Sequence, residues 1–271
     1  MFRQLIFVCL FLVLVPFVQA QEIRIEGSTT VGPIVDAFVE SLNQSDGKVR
    51  FTVKKTGSGD GAAALIDGRC EIAAMSRFMK DEEYKKAVAA GRRPVPFTIC
   101  MDGVCFIVHQ SNNVRNLTKQ QVTDIYTGKI KSWRELGGAD VPVVAISRDT
   151  SSGTYEVFHE LAVGKSKLAA GVEYTNSNPQ MFARVSTTEG AIGYVGIGFL
   201  QNGVATVKFE NIVPTKESIA NGTYPLSRPL YLFTDGYPKL GSPLMKFCNF
   251  FLTEEGQDVI NAKGFVPLTK Y

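Results

Sequence analysis

The chain has 271 residues and a formal net charge of +3, and 45% of its residues are hydrophobic while 20% are charged. This composition is typical of a globular protein and argues against a disordered chain. The small positive charge also argues against nucleic-acid binding, which usually requires a concentrated basic face, but it is compatible with a small anionic ligand.

The first twenty residues have the pattern of a secretory signal peptide. Arg3 precedes an apolar run over residues 5–15 that is too short to span a bilayer, and Val18 and Ala20 are the small residues that a signal peptidase prefers. We therefore predict a signal peptide over residues 1–20, cleavage after Ala20 and a periplasmic mature protein. Cys9 lies inside the apolar run, so a lipid-attachment cysteine is not expected.

Strand and helix patterns alternate along the rest of the chain, which predicts an α/β protein with largely parallel sheets. The predicted strands cover residues 23–25, 49–53, 72–75, 97–100, 104–109 and 143–147. The predicted helices cover residues 31–42, 57–67, 81–90 and 117–126, and a further one begins near residue 153. No flexible linker interrupts this pattern, so any two lobes are expected to be joined by ordered strands.

The cysteines beyond the signal peptide are Cys70, Cys100, Cys105 and Cys248. An oxidising compartment would permit them to pair, but the sequence does not give their connectivity. A metal site that uses Cys100, Cys105 and His109 would have a spacing unlike any standard zinc pattern. Disulfides or buried thiols are favoured over a metal site, and no metal or other cofactor is expected.

Three segments combine a short strand, a turn rich in Gly, Ser and Thr, and the start of a helix. Free backbone N–H groups and the positive end of the helix dipole point outward at such a start, and both suit a phosphate or sulfate. Ser, Thr and Gly also cap helices, so one such turn alone indicates no site. Three of them together, with Arg77 after one strand and Arg148 before one turn, predict an anion site. The alternative for either arginine is an ion pair, and Asp149 is a ready partner for Arg148.

Four motifs carry a resemblance to a known family. They are Gly27-Ser28-Thr29-Thr30-Val31, Gly57-Ser58-Gly59-Asp60-Gly61, Ala74-Met75-Ser76-Arg77 and Arg148-x-x-x-Ser152-Gly153-Thr154. In that order they resemble the PstS-type phosphate-binding proteins of bacterial ABC phosphate importers. Residues 117–133, 190–196 and 250–267 are also similar to that family, so the resemblance covers nearly the whole mature chain.

The resemblance implies a type II periplasmic-binding fold, in which two α/β lobes joined by crossing strands close on the ligand. We expect the first lobe at residues 21–106 and 230–271 and the second at 107–229, with crossings at 104–109 and 230–234. The predicted phosphate-binding residues are Ser28, Thr29, Thr30, Ser58, Gly59, Asp60, Ser76, Arg77, Arg148, Ser152, Gly153 and Thr154. The implied partners are inorganic phosphate and the permease of an ABC importer, and we expect a monomer that binds no nucleic acid.

One position departs from the best-known members of the family, which have an aspartate where this chain has Arg77. That aspartate would accept the phosphate proton, and rejection of sulfate depends on such an acceptor. Asp60 is a candidate substitute. Selectivity for phosphate over sulfate is therefore the open question.

Other functions remain as alternatives. A serine hydrolase would need a base beside Ser152, but the histidines are only His109 and His159, and Ser152 lacks the Gly-x-Ser-x-Gly turn. No catalytic residue is predicted. A binding protein for another oxyanion, such as sulfate or molybdate, and a phosphate-sensing receptor or adhesin with the same fold are the stronger rivals.

Overall fold

A computed structural model of the chain describes residues 21–46 and 49–269, and the predicted signal peptide of residues 1–20 lies outside them. In this described part, the strands are β1 Gln21–Gly27, β2 Val49–Lys55, β3 Ile72–Met75, β4 Pro94–His109, β5 Asn116–Leu117, β6 Val144–Arg148, β7 Glu173–Thr175, β8 Ala191–Gly196, β9 Val204–Thr206, β10 Lys208–Phe209 and β11 Ser227–Asp235. The helices are α1 Gly32–Asp46, α2 Ser58–Ile66, α3 Asp81–Ala89, α4 Lys119–Tyr126, α5 Gly153–Val157, α6 Asn178–Ser186, α7 Lys216–Ala220, α8 Pro243–Asn249 and α9 Glu254–Ala262. Short 3₁₀ segments cover Trp133–Leu136, Ile197–Phe199 and Phe250–Leu252, and a π-helical turn, Phe158–Ala162, continues α5. None of the described helices is long and apolar enough to cross a bilayer.

A continuous sheet runs through the molecule in the strand order β2-β1-β3-β11-β4-β8-β6-β7, and β9 pairs with β4. Strands β1, β2 and β3 are parallel in one half, and β6, β7 and β8 are parallel in the other. The two central strands, β4 and β11, are antiparallel. Along the 16-residue strand β4, pairing passes from β11 to β8 between Gly103 and Val104, so β4 belongs to both halves.

The structure confirms the predicted alternation of strands and helices, with element ends that differ by a few residues. The prediction of two separate strands at 97–100 and 104–109 was wrong, because they form the single strand β4. Asp102 and Gly103 lie between the two predicted strands because aspartate and glycine are typical of turns. In the structure, Asp102 is fully buried and paired with Arg228. A Cβ on Gly103 would lie 2.6 Å from Ile219, so glycine here permits close packing in an extended strand rather than a turn.

An aromatic cluster supports the end of β6, where Arg148 lies. The rings of Phe158 and Tyr194 are stacked with centroids 4.2 Å apart, and Tyr126 packs against Phe158 at 4.6 Å. The hydroxyl of Tyr194 accepts a hydrogen bond from the backbone N–H of Arg148 at 3.0 Å. Burial of these rings stabilises the end of β6 and so holds the backbone of Arg148 in place.

All four cysteines of the described chain are free and buried. Burial raises the pKa of the Cys70 and Cys248 thiols to about 12, and it raises the pKa of Cys100 and Cys105 well above the usual value. Of the two alternatives left by the sequence, buried thiols rather than disulfides describe this structure.

We therefore expect the native protein to react very slowly with a thiol-alkylating reagent at neutral pH, because the thiolate is the reactive form and both burial and a raised pKa suppress it. Unfolding in guanidinium should expose four reactive thiols of the mature chain, counted by mass spectrometry. A reductant should leave the unfolding midpoint unchanged, and a reductant-dependent loss of stability would contradict the thiol assignment.

Candidate functional site

Four segments that the sequence singled out meet between the two halves of the sheet. Residues 28–30 follow β1, Ser58 begins α2 and Ser76 follows β3, all in the first half. The fourth segment, residues 148–154, joins the end of β6 to α5 in the second half. The carboxyl ends of parallel strands are the usual place for a ligand site in an α/β protein, and the predicted turns all lie there.

Two threonines of the first half contact the second half directly. The hydroxyl oxygens of Thr30 and Thr154 are 3.0 Å apart, and the Nη2 of Arg148 donates to the hydroxyl oxygen of Thr29 at 3.3 Å. These side chains are buried, with exposed fractions from 1% to 7%. The predicted residues therefore form one continuous polar cluster that spans both halves.

Ser58 and Ser76 form the adjoining wall of the cluster. The backbone N–H of Ser76 donates to the Ser58 hydroxyl at 3.0 Å, and the two hydroxyl oxygens are 3.2 Å apart. A Cβ on Gly153 would come within 2.5 Å of the Ser58 hydroxyl and 2.7 Å of the Ser76 hydroxyl. Only glycine permits the start of α5 to approach this wall so closely.

The hydroxyls of Ser28 and Ser152 act as helix caps in this structure. Ser28 accepts from the backbone N–H groups of Thr30 and Val31 at 3.1 and 3.4 Å, and Ser152 accepts from that of Tyr155 at 3.2 Å. A hydroxyl that accepts such bonds still has its own hydrogen to donate. Capping and ligand binding are therefore compatible for both serines.

Arg148 is a buried cation, and no carboxylate of the described residues lies within hydrogen-bond distance of its guanidinium. Its side chain is 1% exposed, and its Nε and Nη2 donate to the backbone carbonyls of Thr175 and Asn176 at 3.1 and 2.9 Å. The Nη2 is 3.9 Å from Asp149 Oδ2, and the Nη1 has no hydrogen-bond partner among the described residues. Burial lowers the pKa of the Arg148 guanidinium. A small anion would satisfy both the charge and the free donor.

Arg77 lies beside this cluster, but carboxylates surround its guanidinium. Its Nη1 and Nη2 donate to Glu83 at 2.7 and 2.6 Å, and its Nε is 2.7 Å from Glu156 Oε2. Lys80 also pairs with Glu156. Because Glu83 lies on α3 and Glu156 on α5, the Arg77 ion pairs join the two halves. This arrangement corresponds to the alternative given above for Arg77, an ion pair rather than a ligand contact.

The remaining two predicted residues lie at the start of α2. The backbone N–H of Gly59 donates to the carbonyl of Ser151 at 2.9 Å, so this amide already joins the two halves. Asp60 is half-buried in the first turn of α2, where a carboxylate interacts favourably with the helix dipole.

Sequence reasoning missed three polar residues of the cluster. Asn178 Nδ2 donates to the hydroxyls of Thr29 and Thr30 at 3.2 and 3.0 Å. Arg228 donates to Thr154 at 2.9 Å and forms two bonds of 2.9 and 2.7 Å to Asp102, whose pKa is raised by burial against the opposing charge of Arg228. Asn178 is the first residue of α6, after the N-cap Ser177, and its local sequence gives no sign of a ligand site; no local signal marks Asp102 or Arg228 either.

Known proteins resemble this chain over most of its length. Residues 18–255 match the PBP superfamily domain. The chain is 34% identical to the phosphate-binding protein PstS of Staphylococcus epidermidis, over 90% of this chain and 78% of that protein. It is 30% identical to PstS of Pseudomonas aeruginosa, over 89% of this chain and 81% of that protein.

Solved structures give the same result for the fold. A phosphate ABC transporter substrate-binding protein of Clostridium perfringens, solved with bound phosphate, superimposes with a TM-score of 0.83 at 33% identity, covering 91% of this chain and 99% of that one. An ABC-type phosphate transport receptor of Vibrio cholerae gives a TM-score of 0.74 at 32% identity, with 90% and 99% covered. These neighbours confirm the expected periplasmic-binding fold with two α/β lobes joined by crossing strands.

We expect Arg228→Ala to lower the free energy of unfolding by about 3–5 kcal/mol, because it leaves the fully buried carboxylate of Asp102 without its counter-charge. The matched control is Arg134→Ala. Arg134 pairs with Asp140 at 3.2 Å, but both side chains are at least 70% exposed, so the loss there should stay below about 1 kcal/mol. Equal losses in the two variants, measured by urea denaturation, would contradict the structural importance of the buried pair.

Proposed function

The chain belongs to the PstS family of phosphate-binding proteins within the PBP superfamily, and from this membership we propose that it binds inorganic phosphate in the periplasm and delivers it to an ABC importer. The observation that carries the proposal is the buried Arg148, whose Nη1 donor is unpaired among the described residues. A buried guanidinium with a free donor, surrounded by hydroxyls, is suited to a tetrahedral oxyanion.

The proposed ligand contacts divide into three kinds. Arg148 supplies the positive charge and a directed donor. The backbone N–H groups of Gly153 and Thr154 at the start of α5 supply neutral donors along the helix axis. Hydroxyl groups supply the rest, and these are Ser28, Thr29, Thr30, Ser58, Ser76, Ser152 and Thr154.

Arg77, Gly59 and Asp60 have supporting roles in this proposal. Arg77 closes the site from the side through its ion pairs with Glu83 and Glu156, and Gly59 joins the lobes through Ser151. Asp60 is retained as the candidate acceptor for the phosphate proton. The proposed lobes remain residues 21–106 with 230–271, and residues 107–229.

The proposed function is binding and transport rather than catalysis. The relatives that match are named as binding proteins. The His159 ring stacks on Tyr155 with centroids 5.1 Å apart, and its Nε2 is 3.2 Å from the carbonyl of Ser166. His109 is paired with Ser111. Each histidine therefore has a local structural partner away from Ser152.

We also propose that the protein is a monomer and that its partner is the importer permease.

Titration calorimetry with phosphate, sulfate and molybdate tests the ligand. We expect phosphate to bind in the micromolar range or tighter and sulfate to bind at least tenfold more weakly. Tight sulfate or molybdate binding without a phosphate signal would overturn the proposal in favour of another oxyanion.

The same titration should show the role of Arg148. Arg148→Ala should weaken phosphate binding by about 100-fold or more, because the ligand then enters a buried site without a counter-charge. Arg134→Ala, which removes an exposed arginine, is the matched control and should bind as the wild type does. An affinity within a few-fold of wild type for Arg148→Ala would assign Arg148 a structural role only.

Gly153→Ala should weaken phosphate binding by at least about tenfold, because the added methyl group would collide with the Ser58 and Ser76 hydroxyls, which are proposed ligand contacts. Gly171→Ala is the matched control, since a Cβ at Gly171 meets no atom of the described residues within 4 Å. Unchanged affinity for Gly153→Ala would show that the close approach of Gly153 to the two serines is not required for binding.

A further inference from the structure

We propose that Asn178 is a positioning residue that directs the hydroxyl hydrogen of Thr29 toward the ligand, so that this position of the site accepts only an unprotonated oxygen. The inference rests on the phosphate-binding function proposed above. It adds a preference for the phosphate dianion over the monoanion.

The orientation of the Asn178 amide is fixed by a third partner. Asn178 is fully buried, and its Oδ1 accepts a hydrogen bond from the backbone N–H of Gly196 at 3.2 Å. A backbone N–H can only donate, so the oxygen of the amide must face Gly196 and the NH₂ group must face the threonines. Asn178 is therefore a donor to both Thr29 and Thr30.

The hydroxyl of Thr29 is consequently left with only a hydrogen to offer. Its oxygen accepts from Asn178 Nδ2 at 3.2 Å and from Arg148 Nη2 at 3.3 Å, and neither of these groups can accept a bond in return. Both lone pairs of the oxygen are occupied. The Thr29 hydrogen has no acceptor among the described contacts, so it is available to an oxygen of the ligand.

The count differs for Thr30 and Thr154, which keep one free lone pair between them. Asn178 donates to Thr30, Arg228 donates to Thr154 at 2.9 Å, and the two hydroxyl oxygens share one further bond of 3.0 Å. That shared bond uses one of their two hydrogens. Thr30 and Thr154 together therefore keep one free hydrogen and one free lone pair, whereas Thr29 can offer the ligand only its hydrogen.

The charged groups around Thr29, Thr30 and Thr154 are two arginines and two aspartates. Arg148 and Arg228 are the cations, and both carboxylate oxygens of Asp102 are engaged, Oδ2 by Arg228 and Oδ1 by the backbone N–H of Ile197 at 2.9 Å. Asp149 accepts from Ser151 through its Oδ1, whereas its Oδ2 lies 3.9 Å from Arg148 and has no hydrogen-bond partner among the described residues. The Tyr194 hydroxyl accepts from the backbone of Arg148.

A hydroxyl that can only donate, as at Thr29, discriminates between the two common forms of phosphate. The dianion carries one protonated oxygen, which can face another side of the site, whereas the monoanion carries two. A P–OH group turned toward Thr29 would place two hydrogens against each other and leave a buried donor unpaired. Affinity should therefore rise as pH increases through the second ionisation of phosphate.

Calorimetric titration of wild type and Asn178→Ala with inorganic phosphate at pH 6 and pH 8 tests this proposal. We expect the wild type to bind roughly tenfold more tightly at pH 8, following the dianion fraction. Asn178→Ala should be roughly tenfold weaker at pH 8 but much less affected at pH 6, because the freed hydroxyls can then accept a P–OH. The buried charges are the same in both proteins, so the difference between the two pH profiles reports Asn178.

Asn202→Ala, at an exposed position, is the matched control and should keep the wild-type pH ratio. If Asn178→Ala binds phosphate more weakly by the same factor at both pH values, Asn178 has a merely structural role and the proposal is overturned. If Asn178→Ala does not fold, Thr29→Val removes the oriented donor directly, and a retained pH ratio in that variant also contradicts the proposal. Absence of phosphate binding by the wild type at both pH values would instead refute the proposed function.

Discussion

The structure depends on a buried guanidinium that the protein does not neutralise within hydrogen-bond distance. Arg148 is held by backbone carbonyls and by Thr29, while Asp149 stays 3.9 Å away. Burying such a charge is unfavourable unless a counter-charge arrives. The stacked Phe158 and Tyr194 rings fix the strand end that carries Arg148, so the apolar core sustains a site whose charge balance is completed by an anion.

The other buried arginine beside the site, Arg228, has the opposite design. Its charge is neutralised through two bonds to Asp102 and it also donates to Thr154, although its Nη1, like that of Arg148, has no hydrogen-bond partner among the described residues. Since Asp102 lies on β4 and Arg228 on β11, the pair joins the two crossing strands. One arginine therefore contributes charge to the ligand, whereas the other contributes rigidity and hydroxyl orientation.

The sequence predicted the features that arise from local patterns. The strand and helix periodicity and the Gly/Ser/Thr turns follow from neighbours in the chain, and the family resemblance predicted that the turns form one site. Contacts between distant residues could not be read in this way: Asn178 meets Thr29 across 149 positions, and Asp102 meets Arg228 across 126. The misread break at Asp102-Gly103 has the same cause, because a long-range ion pair overrides local turn preference.

Arg77 lies where the family resemblance led us to expect an aspartate. An arginine there requires carboxylates of its own, which Glu83 and Glu156 provide, and the charge becomes a link between the lobes instead of an acceptor for a proton. With arginine at this position, Asp60 is the remaining candidate acceptor, and hydroxyl groups, which can donate or accept, share in recognising the protonation state. The direction of the Thr29 hydroxyl is fixed by two groups that only donate, the NH₂ group of Asn178 and the guanidinium of Arg148. Selectivity in this chain thus depends partly on the orientation of hydroxyl groups.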